Sequence, residues 1–149
     1  MRAVVQRVKH AGVCVDGETV AQIGPGLLVL LGIAEGDGRA DMEYIADKCV
    51  NLRVFEDGQG VMNLSLKEAA GELLLVSQFT LYGDARRGRR PSYIKAARPG
   101  EASVLFEECA AVFKERYGRL KTGKFQAMMD VSLVNDGPVT ILLDSKKEF

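Results

Sequence analysis

The stretch ELLLVSQFTLY, Glu72 to Tyr82, decides how the rest of the chain is read. Its apolar first half predicts a long β-strand over 72–82. Period-two alternation puts Leu74, Val76, Gln78 and Thr80 on one face, and Leu75, Ser77, Phe79 and Leu81 on the other. The polar residues Ser77, Gln78 and Thr80 then interrupt a strand that ought to stay apolar. Buried without partners, such groups cost roughly 1–3 kcal/mol each. Two readings follow. Either the strand end dips into solvent, or it forms the mouth of a pocket. In a pocket, backbone N–H groups with Gln78 or Thr80 would hold a polar ligand or an oxyanion.

Working outward, AVVQRV (Ala3 to Val8) opens as a strand and GVCVDGETVAQI (Gly12 to Ile23) as a hairpin turning at Asp16-Gly17. LLVLLGI (Leu27 to Ile33) reads as a strand buried on both faces. A helix follows Gly38, with Met42, Ile45, Ala46, Cys49 and Leu52 at helical spacing. RVFED and VMNLSL flank a second turn at Asp57-Gly58-Gln59-Gly60. A second helix starts near Pro99, carries Leu105, Cys109, Val112, Phe113 and Tyr117 on its apolar stripe, and stops by Gly118. The strands AMMDVSLV and VTILLD close the chain around the turn NDGP, Asn135 to Pro138. The order βββ-α-βββ-α-ββ, with hairpins outnumbering crossovers, predicts an α+β fold. Its sheet is expected to be mostly antiparallel and barrel-like, with two main helices packed on one side. No linker or internal repeat divides the chain, so one domain over 1–149 is expected.

Composition removes several function classes. Twenty basic and twenty acidic residues cancel, so net charge selects no partner. Cys14, Cys49 and Cys109 are far apart and odd in number, which argues against a disulfide framework or a zinc site. The charged opening MRAVVQRVKH is no signal peptide, and GLLVLLGIA falls short of the ~20 residues of a membrane helix. Both point to the cytoplasm. There is no G-x-G-x-x-G and no P-loop. The only histidine, His10, lies in a polar stretch and reads as a surface residue.

Three features stay open on the residues alone. Arg7 shares a strand face with Ala3 and Val5; it either snorkels to water or braces a carbonyl or carboxylate inside the fold. ARRGRRPSYIK gathers Arg86, Arg87, Arg89, Arg90 and Lys95 with no acid among them. That is either a solvated loop or a phosphate-binding one, with Tyr93 as a stacking ring. Gly137-Pro138 is either a plain turn or, if cis, a surface of two bare carbonyls able to accept from an ammonium group.

SQFTLYGD (Ser77 to Asp84) together with NDGPVT (Asn135 to Thr140) resembles the D-aminoacyl-tRNA deacylases. QRV, GLLVLLG, MNLS, GRRPSY and TGKFQAMM extend the resemblance over essentially the whole chain. Tyr93 stands where Phe is expected. The resemblance implies hydrolysis of the ester joining a D-amino acid, or glycine mischarged on tRNA-Ala, to tRNA, with rejection of L-aminoacyl-tRNA. It implies a homodimer acting on aminoacylated tRNA, with no cofactor, no metal, no membrane and no DNA. It assigns the catalytic pocket to Ser77, Gln78, Phe79 and Thr80, with the Phe79 N–H on the ester carbonyl. Gly137 and Pro138, as a Gly-cisPro pair fixed by Arg7, would form a chiral gate reaching into the partner subunit. Phe125 and Met129 would lie near the terminal adenosine, and Arg86, Arg87, Arg89 and Arg90 near tRNA phosphates. Thr80 is a candidate nucleophile without a visible base. The alternative is that the ribose 2′-OH of the substrate helps activate water.

Overall fold

The computed structural model describes all residues, 1–149. Its spine is one long strand, β1 (Arg2–Val15), which takes in AVVQRV and the first arm of the expected hairpin. The Asp16-Gly17 turn, with φ of 52° and 81°, hands the chain to β2 (Glu18–Ile23). After the corner at Gly24-Pro25 the chain continues as β3 (Gly26–Gly32). Both β2 and β3 run antiparallel to β1, β2 against its second half and β3 against its first.

Helix α1 (Arg39–Asn51) follows Gly38 as expected. Met42, Ile45, Ala46 and Cys49 are fully buried. The Asp41 carboxylate accepts from the Gly38 N–H at 2.9 Å, which satisfies a donor that the first turn leaves orphaned. A separate two-stranded hairpin, β4 (Phe55–Glu56) with β5 (Met62–Leu64), comes next. Strand β6 (Glu72–Ser77) then lies parallel to β3. Helix α2 (Pro99–Arg116) begins on its proline. It leads into β7 (Leu120–Thr122), parallel to β6. The last strand, β8 (Asp130–Asp144), pairs with β1 from Arg2–Asp144 to Cys14–Asp130. The main sheet therefore reads β2-β1-β3-β6-β7 with β8 on the far side of β1.

The α+β class and the mostly antiparallel pairing hold, with two parallel contacts where each helix crosses over. Both helices pack on one face of the sheet. There Phe106, Cys109 and Phe113 meet Ile45, Ala46, Leu73 and Leu75 in one cluster. On the other face the sheet curls on itself, so that Leu28, Leu74 and Val76 meet Val13, Ala21 and Ile23, with Met129 and Val131 of the closing segment. The result is the expected barrel-like sheet, with β3 and the start of β6 buried on both faces.

Three expectations are corrected. The strand from Glu72 stops at Ser77, and Phe79–Tyr82 forms a 3-10 turn. Strand β3 ends at Gly32, so the last rung is the Gln78 N–H on the Leu31 carbonyl at 2.7 Å. Beyond it the chain folds back across Gly32, where a Cβ would lie 3.0 Å from Leu81 Cβ and 3.2 Å from the Gln78 carbonyl. The alternation written for Gln78 and Thr80 ends with the strand. Second, NDGP joins no two strands. It is a bulge within β8, where Asp136, Gly137, Pro138 and Val139 stand opposite Arg7 alone, between the pairs Gln6–Thr140 and Val8–Asn135. Third, no peptide bond is cis, so Gly137-Pro138 is trans. Gly137 takes φ 98° in the bulge, and trans is the lower-energy form of an X-Pro bond by ~0.5–1 kcal/mol.

Candidate active site

A cavity of about 900 Å³ opens where the 3-10 turn leaves the sheet. Ser77, Gln78, Phe79 and Thr80 line one wall, and Phe125 and Met129 line another. The structure thus brings together the two groups that the sequence assigned to catalysis and to adenosine. Gln78 Nε2 donates to Thr80 Oγ1. The N–H groups of Phe79 and Thr80 open the 3-10 turn, whose first internal bond is Leu81 N–H to the Gln78 carbonyl at 3.2 Å. Both therefore lack an acceptor inside the turn, as helix-start donors do. Phe79 is 58% exposed and meets Tyr93 edge-on, centroids 5.1 Å apart at 68°.

The far wall comes from the connection between β7 and β8. Phe125 packs on Phe106 of α2 with centroids 5.8 Å apart, so the helix behind the cavity fixes its ring. Met129, partly buried, packs against the core cluster of Val13, Leu28 and Val76. Gln126 sits between them at φ 58°.

Ile94, Ala97, Arg98 and Met128 are among the lining residues that escaped the sequence reading. Ile94 is 87% exposed and Met128 90%. Apolar side chains bare at a rim are a signal, but only exposure reveals it. Neither lies on a strand or helix, so neither shows periodicity.

The chemistry of the lining is one-sided. It contains no Asp, Glu, His, Lys or Cys, and Arg98 is its only formal charge. His10 is exposed on β1 opposite Val134. Burial pushes the Cys49 and Cys109 thiols up, Cys109 to about 12, and they sit in the helix-side core. A nucleophile–base pair of the usual kind is not assembled here. The cavity can position, desolvate and offer backbone N–H donors.

The basic loop stands beside the cavity. Its neck is tied by Asp84 and Ser92, which exchange backbone bonds at 2.8 and 2.9 Å. Arg86, Arg87, Arg89 and Arg90 are all exposed beyond that neck. Arg86 is held by Asp84 at 2.5 Å, and its hydrogen bonds keep the Asp84 carboxyl well below the usual carboxylate range. The other three arginines make no ion pair with the chain.

Gly137 and Pro138 do not line this cavity; they are exposed on the β8 bulge. Arg7 lies beneath them, 5% exposed. Its Nη1 donates to the Val54 carbonyl at 2.6 Å, and its Nε faces Asp136 Oδ2 at 3.2 Å. Arg7 is a brace and not a snorkelling cation. The bulge is closed at its neck by Asn135, whose Nδ2 donates to the Arg7 and Val139 carbonyls at 2.9 and 3.0 Å. Thr140 Oγ1 donates to Asn135 Oδ1 at 3.3 Å. The side chain of Asn135 replaces the ladder bonds that the bulge removes.

The profile of the family described as D-Tyr-tRNA(Tyr) deacylase matches residues 4–144. A protein of Thermosipho africanus named D-aminoacyl-tRNA deacylase is 58% identical over 149 residues, covering all of both chains. A solved structure named c-Myc DNA Unwinding Element Binding Protein superposes with a TM-score of 0.92 at 41% identity, covering 97% of this chain and 98% of that one. A second, a probable eukaryotic D-amino acid tRNA deacylase, shares the fold at a TM-score of 0.79 and 15% identity, covering 95% and 97%.

Proposed function

This chain belongs to the D-Tyr-tRNA(Tyr) deacylase family and is a hydrolase; on that premise we propose that it cleaves the ester of D-aminoacyl-tRNA and spares L-aminoacyl-tRNA. The observation that carries the reading is the cavity: roomy, mostly apolar, free of carboxylate, histidine, lysine and cysteine side chains, and walled by SQFT. Such a site suits a terminal nucleoside bearing an amino acid. The ester carbonyl oxygen accepts from the Phe79 N–H, which stabilises negative charge as the tetrahedral centre forms.

Water is activated by the ribose 2′-OH of the substrate, because the lining supplies no base. Thr80 is a poor nucleophile in this setting. Its oxygen already accepts from Gln78, and no lining side chain takes its proton. Catalysis then rests on positioning and oxyanion donors.

Selection falls to Gly137 and Pro138, delivered from the partner subunit of a homodimer. The bulge offers backbone without a reactive side chain, held at a fixed height by Arg7 and Asn135. An L side chain collides with it, a D side chain points away, and glycine has nothing to collide. Glycyl-tRNA-Ala is therefore a second substrate. Discrimination arises from exclusion. The exposed Val134 and Leu142 of β8 offer apolar surface for the subunit contact, and Arg87, Arg89 and Arg90 meet tRNA phosphates outside the cavity.

Incubation with D-Tyr-tRNA, L-Tyr-tRNA and Gly-tRNA-Ala tests this. Hydrolysis of the D ester at least about a hundredfold faster than the L ester, roughly 2.7 kcal/mol of discrimination, is expected. Equal rates would remove the chiral reading. Salt-sensitive tRNA binding that leaves every ester intact would make the protein a binding module instead.

A further inference from the structure

We propose that Arg98 binds the phosphodiester on the 5′ side of the substrate's terminal adenosine. The inference rests on the reading of the cavity as a site for an aminoacylated RNA end. It assigns the anchor for the first anion that this end carries.

Arg98 is the one formally charged side chain in a lining that is otherwise neutral and largely apolar. It has no carboxylate within ion-pair distance, in contrast to Arg86 and Arg116. Low-dielectric walls focus the field of a lone cation into the space they enclose. An uncompensated guanidinium at such a rim selects an anion. Neither the adenine, the ribose nor the ester supplies one, and the amino acid contributes an ammonium. The nearest negative charge on the substrate is the 5′ phosphate of the terminal nucleoside.

The mounting of Arg98 also differs from that of the loop arginines. Ala97 N–H donates to the Ile33 carbonyl at 2.9 Å, and Ala102 N–H to the Arg98 carbonyl at 2.8 Å. The residue is therefore tied on one side to the chain leaving β3 and on the other to the first turn of α2. Arg87, Arg89 and Arg90 lie beyond the Asp84–Ser92 neck. A cation carried on an anchored backbone sets the register of the RNA end, and loop cations gather the strand behind it. The planar fork of arginine suits a phosphate geometrically as well as by charge.

Two small substrates isolate the effect: the 3′-O-D-tyrosyl ester of adenosine, and the same ester of adenosine 5′-monophosphate. For the unmodified protein kcat/KM is expected to favour the phosphorylated ester by roughly tenfold, carried by KM, as one charge-assisted contact supplies. Arg98→Gln is expected to bring that ratio to about one, and Arg98→Lys to keep part of it. The ratio is read on one preparation, so loss of folded protein lowers both rates and leaves it unchanged. On D-Tyr-tRNA itself, Arg98→Gln should make the slope of log(kcat/KM) against log[salt] shallower by about 0.7, one single-strand phosphate contact. A ratio near one in the unmodified protein, or a Gln variant that keeps both the ratio and the slope, overturns the assignment. Failure of the unmodified protein to hydrolyse D-Tyr-tRNA at all would instead remove the parent reading, and this one with it.

Discussion

Gly137→Ala is the sharpest probe of the bulge, because two separate costs meet at one atom. The first is conformational. Gly137 sits at φ 98°, where an L side chain costs about 1–2 kcal/mol. The second is steric. An added Cβ overlaps Arg7 Nη2, and that guanidinium cannot yield cheaply. It is 5% exposed and donates to the Val54 carbonyl at 2.6 Å. Displacing it forfeits a hydrogen bond from a charged donor, about 1.5–3 kcal/mol. The expected destabilisation is the sum, about 2.5–5 kcal/mol, or a fall in Tm of roughly 5–20 °C for a chain of this size. Urea unfolding measures it as a shift in midpoint at unchanged m. Arg7→Met separates the parts. With the guanidinium gone, Gly137→Ala should cost only its conformational share, which leaves a coupling of about 1.5–3 kcal/mol in a double-mutant cycle. A single-variant cost below about 1 kcal/mol, or strictly additive costs, would refute the packing of Arg7 under Gly137.

Asn135→Ala is expected to destabilise by about 1–3 kcal/mol by stripping the Arg7 and Val139 carbonyls of their donor, read by the same unfolding curves. Thr80→Ala should retain measurable hydrolysis of D-Tyr-tRNA; complete loss in a folded protein would make Thr80 the nucleophile. Asp41 supplies a pH test. Burial alone would raise its carboxyl, but hydrogen bonds from Lys146, Ser145 and Gly38 prevail and hold it at about 2 against an ordinary 3.8. A depressed folded-state value means stabilisation that is complete above about pH 4 and lost as pH falls towards 2. Asp41→Asn should therefore flatten acid unfolding in that window and leave the remaining curve in place. An unchanged acid limb would contradict the contact.

What was legible in the sequence was local. Helical spacing placed Met42, Ile45 and Cys49 in the core, Pro99 marked the start of α2, and the unbroken apolar run at Leu27 announced a strand covered on both faces. What the sequence hid depends on partners distant in the chain. Glu72–Tyr82 reads as one strand, and only the end of β3 at Gly32 explains why pairing stops at Ser77. NDGP has the residues of a turn, and only alignment against β1 reveals a bulge in a continuous strand. Arg98 carries no motif; it becomes notable once every other cavity residue is known to be uncharged. SQFT could be singled out because a polar cluster after an apolar strand departs from the burial pattern around it, and these residues do line the cavity.

The pairing of β1 with β8 has a consequence for how the protein reaches this state. Arg2 pairs with Asp144, and Val8 with Asn135, so the central strand waits for a partner more than a hundred residues downstream. Contacts of such span are reached only after a large loss of loop entropy, and they slow folding. The bulge, its Asn135 clamp and the seat of Arg7 are then among the last features to form. A nascent chain would already hold β1, β2 and β3 as an antiparallel unit, with one long edge of β1 bare until β8 arrives. That interval is when the chain is most open to pairing with a wrong strand, and β8 is the segment whose delay would lengthen it.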